Sequence, residues 1–139
     1  MVDAPRLRDL LDRLQAEVAG LADLAQQPAA ALLADPVALD AVKYRFVVSI
    51  EVCIDIAQHI IASERLRAPE TFADAFGILA EAELIPTEIA DAAQRMARFR
   101  NLLVHVYADV DDSRVVEILQ TQLDDFSKFR QSVAALVAD

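Results

Sequence analysis

The residues best suited to chemistry lie in one short stretch, RFRNLLVHVY, residues 98–107. It gathers Arg98, Arg100, Asn101, His105 and Tyr107, with Arg95 just upstream; the next acid is Asp109. In a chain of net charge −10, with 13 basic against 23 acidic residues, this is the one locally basic, polar cluster. An imidazole titrates near neutrality and can act as base or acid. A guanidinium stays charged and presents a planar fork of donors to an anion's oxygens. At 100° per residue on a helix, Asn101 and His105 share a face, as do Arg100 and Tyr107 over two turns. Arg100 and His105 then point about 140° apart. For both to act on one small target, the helix end must be distorted, Arg100 must reach around on its long stem, or a second subunit must complete the site. Spacing alone equally allows Arg95, Arg98 and Arg100 to be a solvated face offsetting nearby acids.

Two other places have the right residue types. Glu51, Asp55 and His59 are spaced i, i+4, i+8 and stack along one side of a helix. Neither histidine has Glu three residues before it, so the Glu-x-x-His pattern of di-iron bundles is absent, and so is His-Glu-x-x-His. No metal is expected there. The line is a partly exposed polar stripe, a polar line at a subunit contact, or a set of carboxylates that orients the basic cluster. The single cysteine, Cys53, sits in the most apolar part of its helix with no base in register, which suits a small core residue better than a nucleophile.

These side chains must be positioned by helices. With 55% hydrophobic residues and only two glycines, the chain has strong helix formers and little material for hairpins or Gly-rich phosphate loops. At 139 residues it is one domain, 1–139, large enough for a core without staples. Leu7, Leu10, Leu11, Leu14, Val18, Leu21 and Leu24 form one stripe of a helix over about 5–26. Asp35-Pro36 starts a second helix that runs to about Ser63 and is apolar on nearly every side, as expected at the centre of a bundle or against a partner subunit. Thr71 caps a short third helix with Phe72, Ala75, Phe76 and Leu79 as its stripe. A fourth runs from Pro86 or Thr87 to about Tyr107, with Ile89, Ala93, Met96, Leu103 and Val106 facing the core. A fifth, capped by Asp112 or Ser113, carries Val115, Leu119, Gln122, Phe126, Phe129, Val133 and Leu136. The expected architecture is all-α, an up-and-down bundle of four long helices plus one short helix.

An acidic chain repels nucleic acid and anionic membrane surfaces on average. The N-terminal stretch MVDAPRLRDLLDRL is charged throughout and lacks the apolar region of a signal peptide, and no window approaches the roughly 18–20 uncharged apolar residues of a membrane span. A cytoplasmic protein without membrane attachment is expected.

The arrangement Arg100-Asn101-x-x-x-His105-x-Tyr107, near the end of a helix in an all-α chain of this size, resembles the HepT-like toxins of the HEPN superfamily of helical ribonucleases. Two further segments agree in order and spacing: Tyr44-Arg45 through Glu51 to His59-Ile60 is similar to the family's second helix, and residues 69–76, PETFADAF, to its Pro-x-[Ser/Thr]-aromatic-x-Asp-x-Phe segment. The likeness covers about residues 40–130. It implies a HEPN-like homodimer whose motif residues meet in a composite cleft, and a metal-independent endoribonuclease toxin of a type II/VII-like toxin–antitoxin system. It also implies a cognate minimal nucleotidyltransferase antitoxin as partner and RNA as substrate. Arg100 and His105 then stand where the family has its catalytic pair, and Tyr107 where some antitoxins attach AMP.

The residue types suit that chemistry. Attack of a ribose 2′-OH on the adjacent phosphate needs a base, an acid and a cation; His105 and Arg100 supply them, Asn101 can orient the ring or donate to the phosphate, and no cofactor is called for. AMP on Tyr107 would place a bulky anion near Arg100. Glu51 and Asp55 are supporting polar residues. The rival reading is a non-catalytic helical module that binds a nucleotidyltransferase partner or a nucleotide.

Overall fold

The computed structural model describes residues 3–106 and 109–138, and these are all-helical, as expected. Asp3 opens α1 (Ala4–Leu24), its side chain accepting from Arg6 N–H, and the leucine stripe is buried at Leu7, Leu10, Leu11, Leu14 and Leu21. A short α2 (Ala29–Leu33), unexpected from the sequence, folds the link inward on buried Leu32. Asp35 caps α3 (Pro36–Ser63) by accepting from both Val37 and Ala38 N–H. Thr71 caps α4 (Phe72–Glu81) through Asp74 N–H, and Pro86 precedes α5 (Thr87–His105).

The helix expected over about 113–136 is two, α6 (Asp112–Thr121) and α7 (Asp124–Leu136), with Asp111 rather than Asp112 or Ser113 as the cap of α6. Neither proline nor glycine breaks it. The Thr121 hydroxyl donates to Glu117 O at 2.6 Å, a back-bond of the kind that bends helices. The two halves also bury their apolar faces against different neighbours, α6 on α2 and α3, α7 on α1 and α5, which one straight rod could not do. α3 ends at Ser63 as expected, although no glycine marks its end or that of α4. Arg65 and Glu83 take the left-handed conformation (φ 55° and 59°) usually left to glycine, and the N–H groups of Leu66 and Leu84 close back on Ile61 O and Leu79 O.

α3 is the axis of the fold. It packs against α1, α2, α4, α5 and α6, which cover much of its apolar circumference and leave Val37 and Tyr44 exposed. By length and composition it could cross a bilayer, contrary to the expectation from the sequence, but 56% of its most apolar stretch is buried inside the bundle. Around it the aromatics interlock: Phe46 meets Phe99 edge-to-face at 5.2 Å and stacks on Phe126 at 6.4 Å, while Phe76 meets Phe129 edge-to-face at 5.4 Å. Cys53 is buried in this core, and burial pushes its thiol well above the usual range, so no thiolate forms near neutrality. The glycine at position 20 lets the Arg45 guanidinium lie across α1 toward Glu17, where a methyl would collide with it.

Phe46 is 1% exposed and touches rings from two other helices. We expect Phe46→Ala to lower the unfolding free energy by about 3–5 kcal/mol in urea denaturation; a loss below about 1 kcal/mol would mean that the aromatic cluster is not where the bundle holds together.

Candidate functional site

The last two turns of α5 carry Arg100, Asn101 and His105, and α3 runs alongside. Arg100 points toward α3, where its Nη2 donates to Glu51 Oε2 at 2.8 Å. Its Nη1 donates to Asn101 Oδ1 at 3.1 Å; a guanidinium only donates, so the amide's NH2 is left facing elsewhere. The Phe72 ring lies under the guanidinium, 5.1 Å from Cζ to its centroid. The Arg100 side chain is thus only 14% exposed, with Nε buried and without a partner among the described residues.

An open cleft of about 380 Å³ lies beside this arrangement. Arg100, Asn101 and His105 line it from α5, Gln58 from α3, and residues 69–72 from the turn into α4. Of the three ways to bring Arg100 and His105 to one target, the long stem suffices for both to border one cleft within a single chain. α5 remains helical through His105, which is exposed at its mouth. Tyr107 lies outside the described residues.

The line Glu51, Asp55, His59 separates. Glu51 turns to Arg100, as one of its three readings had it; Asp55 is exposed and borders no part of the cleft; His59 is half-buried, its Nε2 without a partner among the described residues. Among the described residues no three His, Cys, Asp or Glu side chains are grouped to hold a metal ion. Phe72, expected on the core stripe of α4, is 38% exposed and serves as the platform for Arg100, and Val106, expected in the core, is 42% exposed just past the end of α5.

Sequence reasoning missed the device that holds the cleft's third wall. Arg67 grips two carboxylates in fork geometry, Asp74 at 2.8 and 2.9 Å and Glu81 at 2.9 and 3.2 Å. Asp74 Oδ2 also accepts from Glu70 N–H at 3.0 Å. The segment 67–72 is therefore tied to α4 at both ends of the helix. The signal was there: Arg67, Asp74 and Glu81 recur at seven-residue intervals.

The chain is similar in sequence and fold to known proteins. A family model described as "Ribonuclease HepT-like" matches residues 11–133. The mRNA nuclease HepT of Shewanella oneidensis is 36% identical over 85 residues, 61% of this chain and 64% of that protein, so the match spans just under two thirds of the relative. The solved structure of a tri-AMPylated Shewanella oneidensis HEPN toxin in complex with its MNT antitoxin superposes with a TM-score of 0.87 at 27% identity, over 97% of this chain and 99% of that one. A toxin–antitoxin structure with AMP-PNP superposes with a TM-score of 0.83 at 25% identity, over 96% and 99%.

The Arg67 clamp has a pH signature. Arg67 hydrogen-bonded to Asp74, helped by Glu70 N–H, holds the Asp74 carboxyl down at about 2 from an ordinary 3.8, and Arg67 also lowers Glu81. A depressed carboxyl stabilises the fold above its unfolded value, and that contribution disappears as pH falls from about 4 through about 2. We expect the parent to melt above Arg67→Ala at pH 6 and the gap to close between about pH 4 and pH 2; a gap unchanged down to pH 2 would exclude the clamp as its source.

Proposed function

The chain belongs to the HepT-like ribonuclease family, and from that premise we propose that it is a metal-independent endoribonuclease toxin whose cleft carries Arg100, Asn101 and His105. The observation that carries the proposal is the convergence of these three side chains on one open cleft, with the guanidinium held in place by Glu51.

In this mechanism His105, exposed at the mouth, removes the proton of a ribose 2′-OH. The 2′-oxygen bonds to the adjacent phosphorus, the 5′-oxygen leaves and takes up a proton, and a 2′,3′-cyclic phosphate and a 5′-hydroxyl result. Arg100 faces the phosphate with the N–H groups that Glu51 and Asn101 leave unused, stabilising the charge that builds on its oxygens. The Asn101 amide NH2 is a further donor toward the same oxygens. No step requires a metal ion.

We assign the partner to the same class as in the solved relatives, a nucleotidyltransferase antitoxin, with Tyr107 as the residue it would modify by AMP transfer. AMP on Tyr107 would add a bulky anion two residues beyond His105 in the chain, a competitor for RNA phosphate by charge. The protein acts in the cytoplasm, away from membranes. It works as a homodimer joined through α3 and α5, where Tyr44 (69% exposed) and Val104 (42% exposed) lie uncovered on the single chain. The rival, a non-catalytic partner-binding module, draws on the fact that Arg100 is already paired with Glu51.

The purified chain should cleave single-stranded RNA, leaving cyclic phosphate ends, equally with and without EDTA. We expect His105→Ala and Arg100→Ala each to lower the rate by about 10²-fold or more. RNA left intact by the parent would favour the non-catalytic reading, and loss of cleavage with EDTA would remove the metal-independent one. Tyr44→Asp with Val104→Asp should convert a dimer to a monomer in sedimentation experiments; a parent that is already monomeric at micromolar concentration would overturn the dimer.

A further inference from the structure

We propose that α5 carries a second binding surface, a flanking subsite for the single-stranded RNA whose cleavage is proposed above. It consists of Arg95 and Arg98 on the rim of an apolar pocket next to the Arg100–His105 cleft. The inference rests on the ribonuclease reading, and its test is built to fail separately from it.

The pocket, about 400 Å³, lies between α5 and the chain from residue 109 into α7. Met96, Phe99, Leu102 and Ile118 contribute its apolar lining, and it shares no lining residue with the catalytic cleft. Along α5 the steps from Arg95 to Arg98, Leu102 and His105 are three, four and three residues, so the four lie on one face, and all four are exposed. From Arg98 to His105 the helix rises about 10 Å, the length of about three stacked nucleotides at 3.4 Å each. A strand with its scissile phosphate at His105 therefore passes Leu102 and reaches Arg98 without leaving the helix.

The charge on this face suits a polyanion. Among the described residues Arg95 and Arg98 make no ion pair or hydrogen bond, whereas Arg114, also on the pocket, is held by Glu117 at 2.8 Å. Asp109, Asp111 and Asp125 come from the opposite wall, and Asp111 is spent capping α6. Phosphates are thus attracted to the α5 side and repelled from the far side, while the apolar floor accepts the face of a base. Single strands are bound in this way, by a cationic track beside surfaces on which bases lie flat, without dependence on sequence.

The test uses His105→Ala protein, which keeps the RNA intact, and a fluorescein-labelled single-stranded ten-nucleotide RNA followed by anisotropy over a salt series. Adding Arg95→Ala with Arg98→Ala should weaken binding tenfold or more at low salt and lower the slope of log K against log salt by about 1.4, at about 0.7 per contact. Adding Leu102→Ala instead should weaken binding at every salt concentration and leave the slope unchanged. Arg6→Ala with Arg13→Ala on α1 changes net charge equally and should leave the slope as it was. An unchanged affinity in the Arg95/Arg98 variant, or an equal loss in the α1 variant, would overturn the subsite. So would RNA binding equal to the parent combined with lost affinity for the nucleotidyltransferase partner, which would make the face a protein contact. If the chain is not a nuclease, protein with His105 intact leaves RNA whole while these binding comparisons still read.

Discussion

Most of the Arg100 side chain, a cation, is removed from water. A cation in that position must be met by a carboxylate, an acceptor and a surface that tolerates it. Glu51 across the helix interface, Asn101 beside it and the Phe72 ring beneath it meet those needs, and they come from α3, α5 and α4. Three helices are therefore held in register around one guanidinium, and the cleft it borders is the place where they meet. The pair is partly exposed at Glu51, so its worth lies in fixing a direction for the fork more than in stability.

The rest of the bundle serves that meeting point. α3 is largely apolar and packs against five other helices. The Phe46, Phe99 and Phe126 cluster locks α5 and α7 against it, which fixes the rotation of α5 and thereby sends Arg100 inward and His105 outward. The Arg67 fork does on the surface what the aromatics do inside: it fixes the turn into α4, and with it the cleft wall that carries Phe72.

A net charge of −10 bears on how such a surface meets a polyanion. Many of the basic residues are consumed internally: Lys43 by Asp112, Arg45 by Glu17, Arg67 by Asp74 and Glu81, Arg114 by Glu117. Arg95 and Arg98, unpaired among the described residues, then stand against an acidic background. The proposed RNA contacts on this face of α5 would therefore weaken steeply with salt.

Much was legible from the residues in order. Heptad-like leucines, the Asp35-Pro36 start, the Thr71 cap and the scarcity of glycine dictate an all-helical chain, because these are local signals read within a turn or two of helix. The cluster of Arg100, Asn101 and His105 stood out for the same reason, and so did the choice of Glu51 as one of the groups able to orient it. What adjacency in the chain cannot encode was decided in three dimensions. The split of α6 from α7 follows from two halves needing different neighbours, and the end of α4 follows from backbone closure at Glu83 without glycine. Asp55 parted from Glu51 although both occupy the same helical line, and Phe72 left its apolar stripe to lie under a guanidinium. Helical spacing says which side chains share a face, but only packing between helices says what that face meets, and the direction of Arg100 was settled by a carboxylate 49 residues away.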